Sequence, residues 1–212
     1  MNADPPVGVD ALRAWFGDID VYLFDQLLKG RLRPGMAVLD AGCGGGRNLV
    51  YLLRAGFRVS AADIDAAAVR RVRAMAAQLA PELPDDAFRC EAVEALTFAE
   101  GSFDAVILSA VLHFARDEAH WAAMVERAWA MLRPGGLFFA RLASTAGIES
   151  AVVPLGGRRF TLPDGSTRFL VDEAVLADAE ARLGAERVDP LRTTLVHGQR
   201  SMTTWVLRRA PA

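Results

Sequence analysis

The stretch Val38-Leu39-Asp40-Ala41-Gly42-Cys43-Gly44-Gly45-Gly46-Arg47-Asn48 determines the fold that we predict for this chain. A short apolar run ends in a carboxylate, three alternate positions are glycine, and an apolar periodic segment begins at Leu49. Glycine is favoured where the backbone turns with positive φ, or where a ligand must approach the main chain closely. The stretch therefore predicts a strand, a tight ligand-binding turn and a helix whose positive end faces the ligand.

Two other nucleotide-binding motifs share this geometry, and the stretch fits both of them poorly. The dinucleotide fingerprint G-x-G-x-x-G/A needs a small third residue, where this chain has Arg47. A P-loop needs a lysine directly after its glycines, and none follows here. Asp40 would repel a pyrophosphate, whereas it suits a ligand that carries a cation. A glycine-rich turn with a purely structural role is the alternative interpretation.

Length, composition and charge favour one globular domain. The chain has 212 residues, of which 52% are hydrophobic, and a formal net charge of −2. This is enough apolar material for a buried core. Because no overall basic field is present, we do not expect a nucleic-acid partner.

Cysteine usage and hydropathy predict a cytoplasmic protein. The two cysteines, Cys43 and Cys90, form no C-x-x-C pair and no metal-ligand spacing, so we expect no metal site. The first residues lack a basic region followed by an apolar run, which argues against a signal peptide. No apolar run approaches about 18 residues, the length of a membrane span, so no membrane association is expected.

Alternating apolar strands and amphipathic helices predict an α/β fold with a doubly wound, mostly parallel sheet. We expect frayed residues at 1–10, one or two helices within 10–29 interrupted at Gly17, and an irregular segment over 143–171. The expected strands are 36–41, 57–62, 87–91, 103–109, 137–142, 186–196 and 201–208, the last pair antiparallel, with helices at 46–55, 66–79, 117–132 and 172–183. We divide the chain into an N-terminal helical cap, 1–35, and the sheet-containing domain, 36–212.

Several stretches resemble the class I S-adenosylmethionine (SAM)-dependent methyltransferases. The glycine stretch resembles their motif I, hydrophobic-Leu-Asp-x-Gly-x-Gly-x-Gly, and Asp63, 21 residues after Gly42, resembles motif II. Residues 101–104 resemble the strand-4 motif, and residues 132–136 resemble the turn before strand 5. Within that superfamily, the Gly-Cys-Gly-x-Gly-Arg-Asn run and residues 108–114 are similar to tellurite-resistance and other small-molecule methyltransferases.

The resemblance implies a seven-stranded class I fold with an antiparallel C-terminal strand, and a SAM site, with S-adenosylhomocysteine (SAH) as product. Asp63 would accept the ribose hydroxyls, and Ile64 would lie beside the adenine. After strand 3 the acidic adenine contact falls on Glu91 by strand geometry but on Ala92 by counting, and we name both. The predicted cofactor-binding residues are Tyr22, Asp40, Gly42, Cys43, Gly44, Asn48, Asp63, Ile64, Glu91, Ala92, Val93 and Ser109. Tyr22 is included because aromatic faces attract sulfonium cations, with a packing role as the alternative.

The resemblance also implies methyl transfer to a small-molecule acceptor by in-line displacement, in a monomer or homodimer. His113, just after strand 4, is the acid/base candidate, with a structural histidine as the alternative. Arg141 would meet an anionic substrate, or simply pair with a carboxylate. His120 and His197 are interpreted as structural, with His120 on the solvent side of its helix.

The acceptor pocket is expected between the N-terminal helix and residues 143–171, with Tyr22, His113 and Arg141 facing it. Arginines in that segment, such as Arg158, Arg159 and Arg168, favour an anionic or polar acceptor. A disordered surface loop is the alternative for the segment. For the whole chain, the alternative functions are a non-catalytic SAM-binding module and an NAD(P)-dependent oxidoreductase.

Overall fold

The computed structural model describes residues 8–211, in which helices and strands alternate as predicted. The fraying expected for residues 1–10 falls mostly on residues 1–7, which lie outside the described range. The first helix begins at Val9, one residue before the predicted start at Asp10, so the expected fraying is wrong at residue 9. No helix within residues 8–211 is both long and apolar enough to span a bilayer.

Six α-helices are formed in the described part of the chain, and aspartates begin four of them. Oxygens of Asp20, Asp65, Asp117 and Asp172 accept backbone N–H groups of the first turn, which would otherwise lack partners. Gly17, with a φ of 61°, ends the first helix. The helices are α1 (Val9–Phe16), α2 (Val21–Leu28), α3 (Leu49–Arg54), α4 (Ala66–Leu79), α5 (Glu118–Ala130) and α6 (Glu173–Leu183).

Residues 8–211 also contain eleven strands, which form two sheets. They are β1 (Ala37–Ala41), β2 (Arg58–Ala62), β3 (Phe88–Arg89), β4 (Phe103–Ser109), β5 (Leu132–Ala143), β6 (Val153–Gly156), β7 (Arg159–Thr161), β8 (Thr167–Phe169), β9 (Ala185–Arg187), β10 (Arg192–Val196) and β11 (Arg200–Arg209). The central sheet has the order β10-β11-β5-β4-β1-β2-β3, with β9 also paired to β11. Strands β1 to β5 are parallel to one another, and β11 is antiparallel to β5.

The central sheet is the doubly wound, mostly parallel sheet that the sequence predicts. It has eight strands rather than seven, because the single strand expected over 186–196 is two strands, β9 and β10. Pro190 lies between them, and a proline cannot donate a ladder hydrogen bond. The long β11 pairs with β5, β9 and β10, so the antiparallel end of the sheet is held by one strand.

The core lies on both faces of the central sheet. β4 is buried along its whole length, and its alternate residues enter two separate apolar clusters. One cluster, with Val106, Leu108 and Trp205, lies against α5 and α6. The other, with Ile107 and Val206, lies against α2, α3 and α4. Burial on both faces accounts for the continuous apolar run in β4.

The segment 143–171 is not irregular, as the sequence predicts, but contains an antiparallel sheet of β6, β7 and β8. Gly156, the last residue of β6, and Gly157, which follows it in the turn to β7, both have positive φ. Pro163, Asp164 and Gly165 link the next two, in a turn that Gly165 closes by donating to the Leu162 carbonyl at 2.9 Å. The strands are only three or four residues long, too short for a period-2 pattern to stand out.

Two other strand bounds differ from the sequence prediction. β3 covers two residues rather than 87–91, since a 3₁₀ turn (Asp85–Ala87) precedes it. β5 begins at Leu132 rather than at 137, because Leu132 pairs with Phe103 before the register shifts. The helix expected to reach residue 132 therefore ends at Ala130.

Candidate active site

A cavity of about 690 Å³, the first cavity, opens at the carboxyl ends of β1, β2 and β4. Open parallel sheets bind their ligands at this edge. Ten of the twelve predicted cofactor-binding residues line it: Gly42, Cys43, Gly44, Asn48, Asp63, Ile64, Glu91, Ala92, Val93 and Ser109. Residues from four separate parts of the chain thus meet at one cavity.

The glycines of the turn serve different purposes. Gly42, Gly44 and Gly46 all have positive φ, at 81°, 51° and 78°. A Cβ on Gly42 would lie 2.5 Å from Val111, so this glycine permits close packing. A Cβ on Gly44 would meet no atom within 4 Å, because this glycine faces the open cavity. Gly44 is therefore where a ligand can approach the main chain.

Asp63 is fixed at the edge of the first cavity by two backbone amides. Gly44 donates its N–H to one carboxylate oxygen at 2.8 Å, and Asp65 donates to the other at 2.9 Å. The glycine turn and the end of β2 are thereby joined through this side chain. Ile64, directly after it, exposes 76% of its surface within the cavity wall. An aspartate beside an exposed apolar side chain suits a ribose that carries a flat, apolar base.

Asp40 lies beneath the glycine turn and is 1% exposed. It does not line the first cavity, and its Oδ2 has no hydrogen-bond partner among residues 8–211. Burial is the main reason that the pKa of this carboxyl is raised to about 7; the Arg47 guanidinium opposes the rise, and the Asp63 carboxylate contributes to it. A cation bound in the adjacent cavity would favour the ionised form of Asp40.

The segment after β3 lines the cavity through Glu91, Ala92, Val93 and Glu94. Both oxygens of Glu91 are already engaged with Thr97, which donates its backbone N–H at 2.9 Å and its hydroxyl. Ala92 and Val93 lie at the start of a short 3₁₀ turn. Both predicted positions for the adenine contact, 91 and 92, therefore reach the cavity.

A second cavity of about 280 Å³ adjoins the first at Ala110, which lines both. His113 and Arg141 line this second cavity and not the first. Burial, reinforced by the positive charges of Arg168 and Arg200, lowers the pKa of His113 to about 4, so the imidazole is neutral at pH 7. Ala110 has a φ of 66°, and such left-handed strain in a non-glycine residue is typical of functional sites.

Tyr22 lines neither cavity, although the sequence predicts it at both the cofactor and the acceptor. Its hydroxyl forms a 2.8 Å hydrogen bond with the Thr194 hydroxyl, and its ring lies 5.4 Å from the Arg141 guanidinium. The placement of Tyr22 facing the ligands is therefore wrong. Its ring is used to pack α2 against β10 and Arg141.

The comparisons with known proteins agree with this geometry. Residues 38–136 match a family model described as a methyltransferase domain. Over 107 residues the chain is 33% identical to an uncharacterized methyltransferase of Synechocystis sp.. This match covers 50% of the present chain and 47% of that protein. The matched part of the chain, residues 38–136, is a methyltransferase domain, and the chain has the fold of the class I SAM-dependent enzymes.

A second relative of this methyltransferase domain is a ubiquinone biosynthesis O-methyltransferase of Methylobacterium sp., 36% identical over 106 residues, or 50% of this chain and 40% of that protein. The matched part thus spans less than half the length of both relatives. None of these matches tests the predicted similarity to tellurite-resistance methyltransferases, which stays a prediction.

A solved structure extends the likeness of the fold to almost the whole chain. It is the 1,6-didemethyltoxoflavin N1-methyltransferase of Burkholderia thailandensis, with 1,6-didemethyltoxoflavin and SAH bound. The TM-score is 0.67 at 20% identity, over 98% of this chain and 93% of that one. At this identity the likeness concerns the fold alone.

Two residues of the methyltransferase domain's site escape the sequence analysis. Asp20, whose side chain is fully buried, accepts a hydrogen bond from Arg141 at 2.8 Å, and its backbone N–H donates to Asn48 at 3.0 Å. Arg47 lines the first cavity and donates to the Ser109 hydroxyl at 2.8 Å. The sequence could have indicated that Asp20 caps a helix. It contains no local signal for the contacts of Asp20 with Asn48 and Arg141, which lie 28 and 121 residues away.

The predicted position of His120 on the solvent side of its helix is wrong. His120 lines the first cavity instead, and its Nε2 is 2.9 Å from a Glu94 carboxylate oxygen. Its Nδ1 accepts the backbone N–H of Arg116 at 3.1 Å. His120 therefore joins the start of α5 to the segment after β3 across one wall of the cavity.

Proposed function

We propose that this protein transfers the methyl group of SAM to a small-molecule acceptor by in-line displacement. The observation that carries the proposal is the pairing of Gly44 with Asp63. Gly44 leaves open space where a Cβ would stand, and its amide fixes the Asp63 carboxylate at the same edge of the cavity. In a methyltransferase domain, this is a cradle for a nucleoside whose other end carries positive charge.

The residues of the first cavity fit SAM. Asp63 would accept the ribose hydroxyls, Ile64 and Val93 would flank the adenine, and Glu91 or Ala92 would meet its edge. Arg47 would pair with the carboxylate of the methionine moiety, and the buried Asp40 would offset its ammonium. When bound, SAM supplies a methyl group activated by its sulfonium.

The contribution of the protein is to orient the reactants and to exclude water. Holding two reactants in line can lower the barrier by roughly 7–11 kcal/mol without any general base. His113, neutral at pH 7, is available to accept a proton from the acceptor, although a low pKa makes it a weak base. Its role as the acid/base group stays a proposal.

We place the acceptor in the second cavity. It adjoins the first at Ala110, and Leu162, Ser166 and Arg168 from the segment 143–171 line it. This supports the predicted role of that segment as a wall of the acceptor pocket. The cap at 1–35, the cytoplasmic location, the monomeric or dimeric state and the lack of a nucleic-acid partner stay predictions.

Calorimetry with SAM and SAH tests the proposed function. Asp63→Ala should weaken SAM binding by about 1.5–3 kcal/mol, because charge-assisted hydrogen bonds are lost. Asp65→Ala is the matched control. Asp65 lies two residues after Asp63, caps the start of α4 and does not line the cavity. Binding of NADH without binding of SAM would favour the oxidoreductase.

A second assay separates an enzyme from a silent SAM-binding module. The protein is incubated with SAM and a pool of small metabolites, and SAH is measured with and without the pool. Formation of SAH that depends on the pool indicates methyl transfer. Tight binding of SAM with no SAH formed from any metabolite fraction would favour the silent module.

A further inference from the structure

The second cavity is a positively charged site in the described part of the chain. Arg141, Arg168 and Arg200 line it, and none of its lining residues is an aspartate or a glutamate. The three arginines come from β5, β8 and β11, three strands in two different sheets. Their convergence is therefore produced by the tertiary fold and not by neighbouring positions in the sequence.

Two buried nitrogen atoms at this cavity have no hydrogen-bond partner within residues 8–211. They are Nδ1 of His113, a residue that is 8% exposed, and Nε of Arg141; both residues line the cavity, while the two atoms themselves lie just behind its surface. Buried polar groups in folded proteins are nearly always hydrogen-bonded. Both nitrogen atoms can act as N–H donors, so a ligand with acceptor oxygens would satisfy them.

The net charge around the second cavity indicates which ligand charge it would favour. Arg141 is paired with Asp20, and Arg200 is paired with Asp164. Arg168 pairs with no carboxylate among the described residues. Its guanidinium donates to the Thr167 carbonyl at 2.7 Å and lies 4.9 Å from the centre of the Phe114 ring. One uncompensated positive charge matches a monoanion better than a dianion.

The other walls of the cavity are mostly apolar, apart from Ser166 and Ser201, and the volume is small. Ala143, Leu162, Val196 and Met202 line them, around a space of about 280 Å³. Ligand sites usually measure roughly 300–1,000 Å³. This space therefore suits a carboxylate on a compact apolar body such as one ring. Because Ala110 lines both cavities, the end of that body nearest Ala110 would face SAM.

We propose that the second cavity binds the carboxylate of the methyl acceptor, with Arg168 as the main charge partner and Arg141 and His113 as hydrogen-bond donors. The acceptor is then a small organic monoacid whose methylated atom faces the first cavity. This inference rests on the proposed function, because it assigns a substrate class to the same site.

Benzoate is the probe, and benzyl alcohol is its uncharged counterpart. Both are titrated by calorimetry into the full chain saturated with SAH. We expect benzoate to bind at least tenfold more tightly than benzyl alcohol, because only the carboxylate pairs with Arg168. Raising the salt concentration should weaken benzoate binding and leave SAH binding nearly unchanged, a test that needs no variant.

Arg168→Gln should weaken benzoate binding about tenfold or more without weakening SAH binding, because it removes a charge that is in no ion pair. Arg159→Gln is the matched control, since Arg159 is an exposed arginine on the adjacent strand β7 and does not line the cavity. Benzoate should bind this control as it binds the parent. Melting curves establish that both variants are folded.

Several results would overturn the inference while the proposed function stands. They are SAH binding without benzoate binding, equal affinity for benzyl alcohol, and benzoate binding that Arg168→Gln leaves unchanged. Inorganic phosphate that displaces benzoate and binds more tightly would also overturn it, in favour of a phosphorylated acceptor. Loss of SAH binding by the parent protein would instead contradict the proposed function itself.

Discussion

Gly44 and Gly42 have the same backbone preference but different surroundings. Both have positive φ, yet only at Gly44 is the space beyond the Cα open. The difference separates a glycine required by packing from one required by a ligand. It can be tested because Gly35, with a φ of 84° and the same open space, is exposed at the amino end of β1, the end opposite to the first cavity.

Gly44→Val should abolish detectable SAM binding in calorimetry, since a branched side chain would occupy the volume of the ligand and strain the turn. Gly35→Val introduces the same left-handed strain without touching the cavity. It should lower the melting temperature but leave SAM binding intact. Equal loss of SAM affinity in both variants would show that Gly44 acts only through stability.

Asp40 should make SAM binding depend on pH. Its pKa is about 7 in the folded chain and near 3.8 in the unfolded chain, so its stabilising contribution is present below about pH 3.8 and is lost as the pH rises through 7. A bound cation favours the ionised carboxylate. SAM affinity should therefore rise by up to about tenfold between pH 6 and pH 8.

Asp40→Asn isolates this effect from the titration of SAM's own amino group. The variant cannot ionise at this position, so its SAM affinity should change less with pH than that of the parent. Calorimetry at pH 6, 7 and 8 measures both proteins. An identical pH dependence in the two would rule out Asp40 as the titrating group.

At the scale of an element, Asp20 determines where α2 lies. Its carboxylate begins the helix by accepting the Tyr22 N–H at 3.0 Å, and it pairs with Arg141 on β5. Its backbone N–H donates to Asn48 beside the glycine turn. The start of α2 is therefore joined to both cavities, although none of its residues lines either one.

Asp20→Ala should lower the free energy of unfolding by about 3–5 kcal/mol, because it leaves Arg141 as a largely buried charge without a partner. Urea denaturation followed by circular dichroism measures the change. The control is Asp18→Ala, an exposed position two residues earlier, which should change stability by less than about 0.5 kcal/mol. Similar losses in both variants would mean that the pair with Arg141 contributes little.

At the scale of the whole molecule, the sheet of β6, β7 and β8 covers the acceptor side and leaves the first cavity uncovered. It packs on the central sheet through a separate apolar cluster that contains Ala143, Ile148, Leu162 and Leu170. None of residues 143–171 lines the first cavity. Binding of SAM and binding of the acceptor are thus assigned to different parts of the fold.

Replacing residues 154–166 with about four glycine and serine residues should preserve SAH binding and remove methyl transfer. The ends can be joined, since Val153 and Thr167 both pair with Thr161 and so lie two strand spacings apart, roughly 10 Å. SAH calorimetry and an SAH-formation assay measure the two properties. A replaced protein that methylates its acceptor at the parental rate would exclude this sheet from the acceptor pocket.

The sequence by itself determined the features that depend on nearby residues. The glycine turn, the aspartate caps and the buried run of β4 each follow from the preferences of residues a few positions apart. The turn Pro163-Asp164-Gly165 carried such a signal too, since proline and glycine favour the dihedral angles of a hairpin turn. It was outweighed by the shortness of the strands on either side.

The tertiary structure alone decided which distant side chains meet. Asp20 pairs with Arg141 across 121 positions, and Arg168 and Arg200 converge on His113 from two sheets. No local preference encodes such contacts, because they arise when the central sheet and its cover bury their apolar faces together. The same packing removes His113 from the first cavity and lowers its pKa, so its charge at neutral pH is a property of the fold.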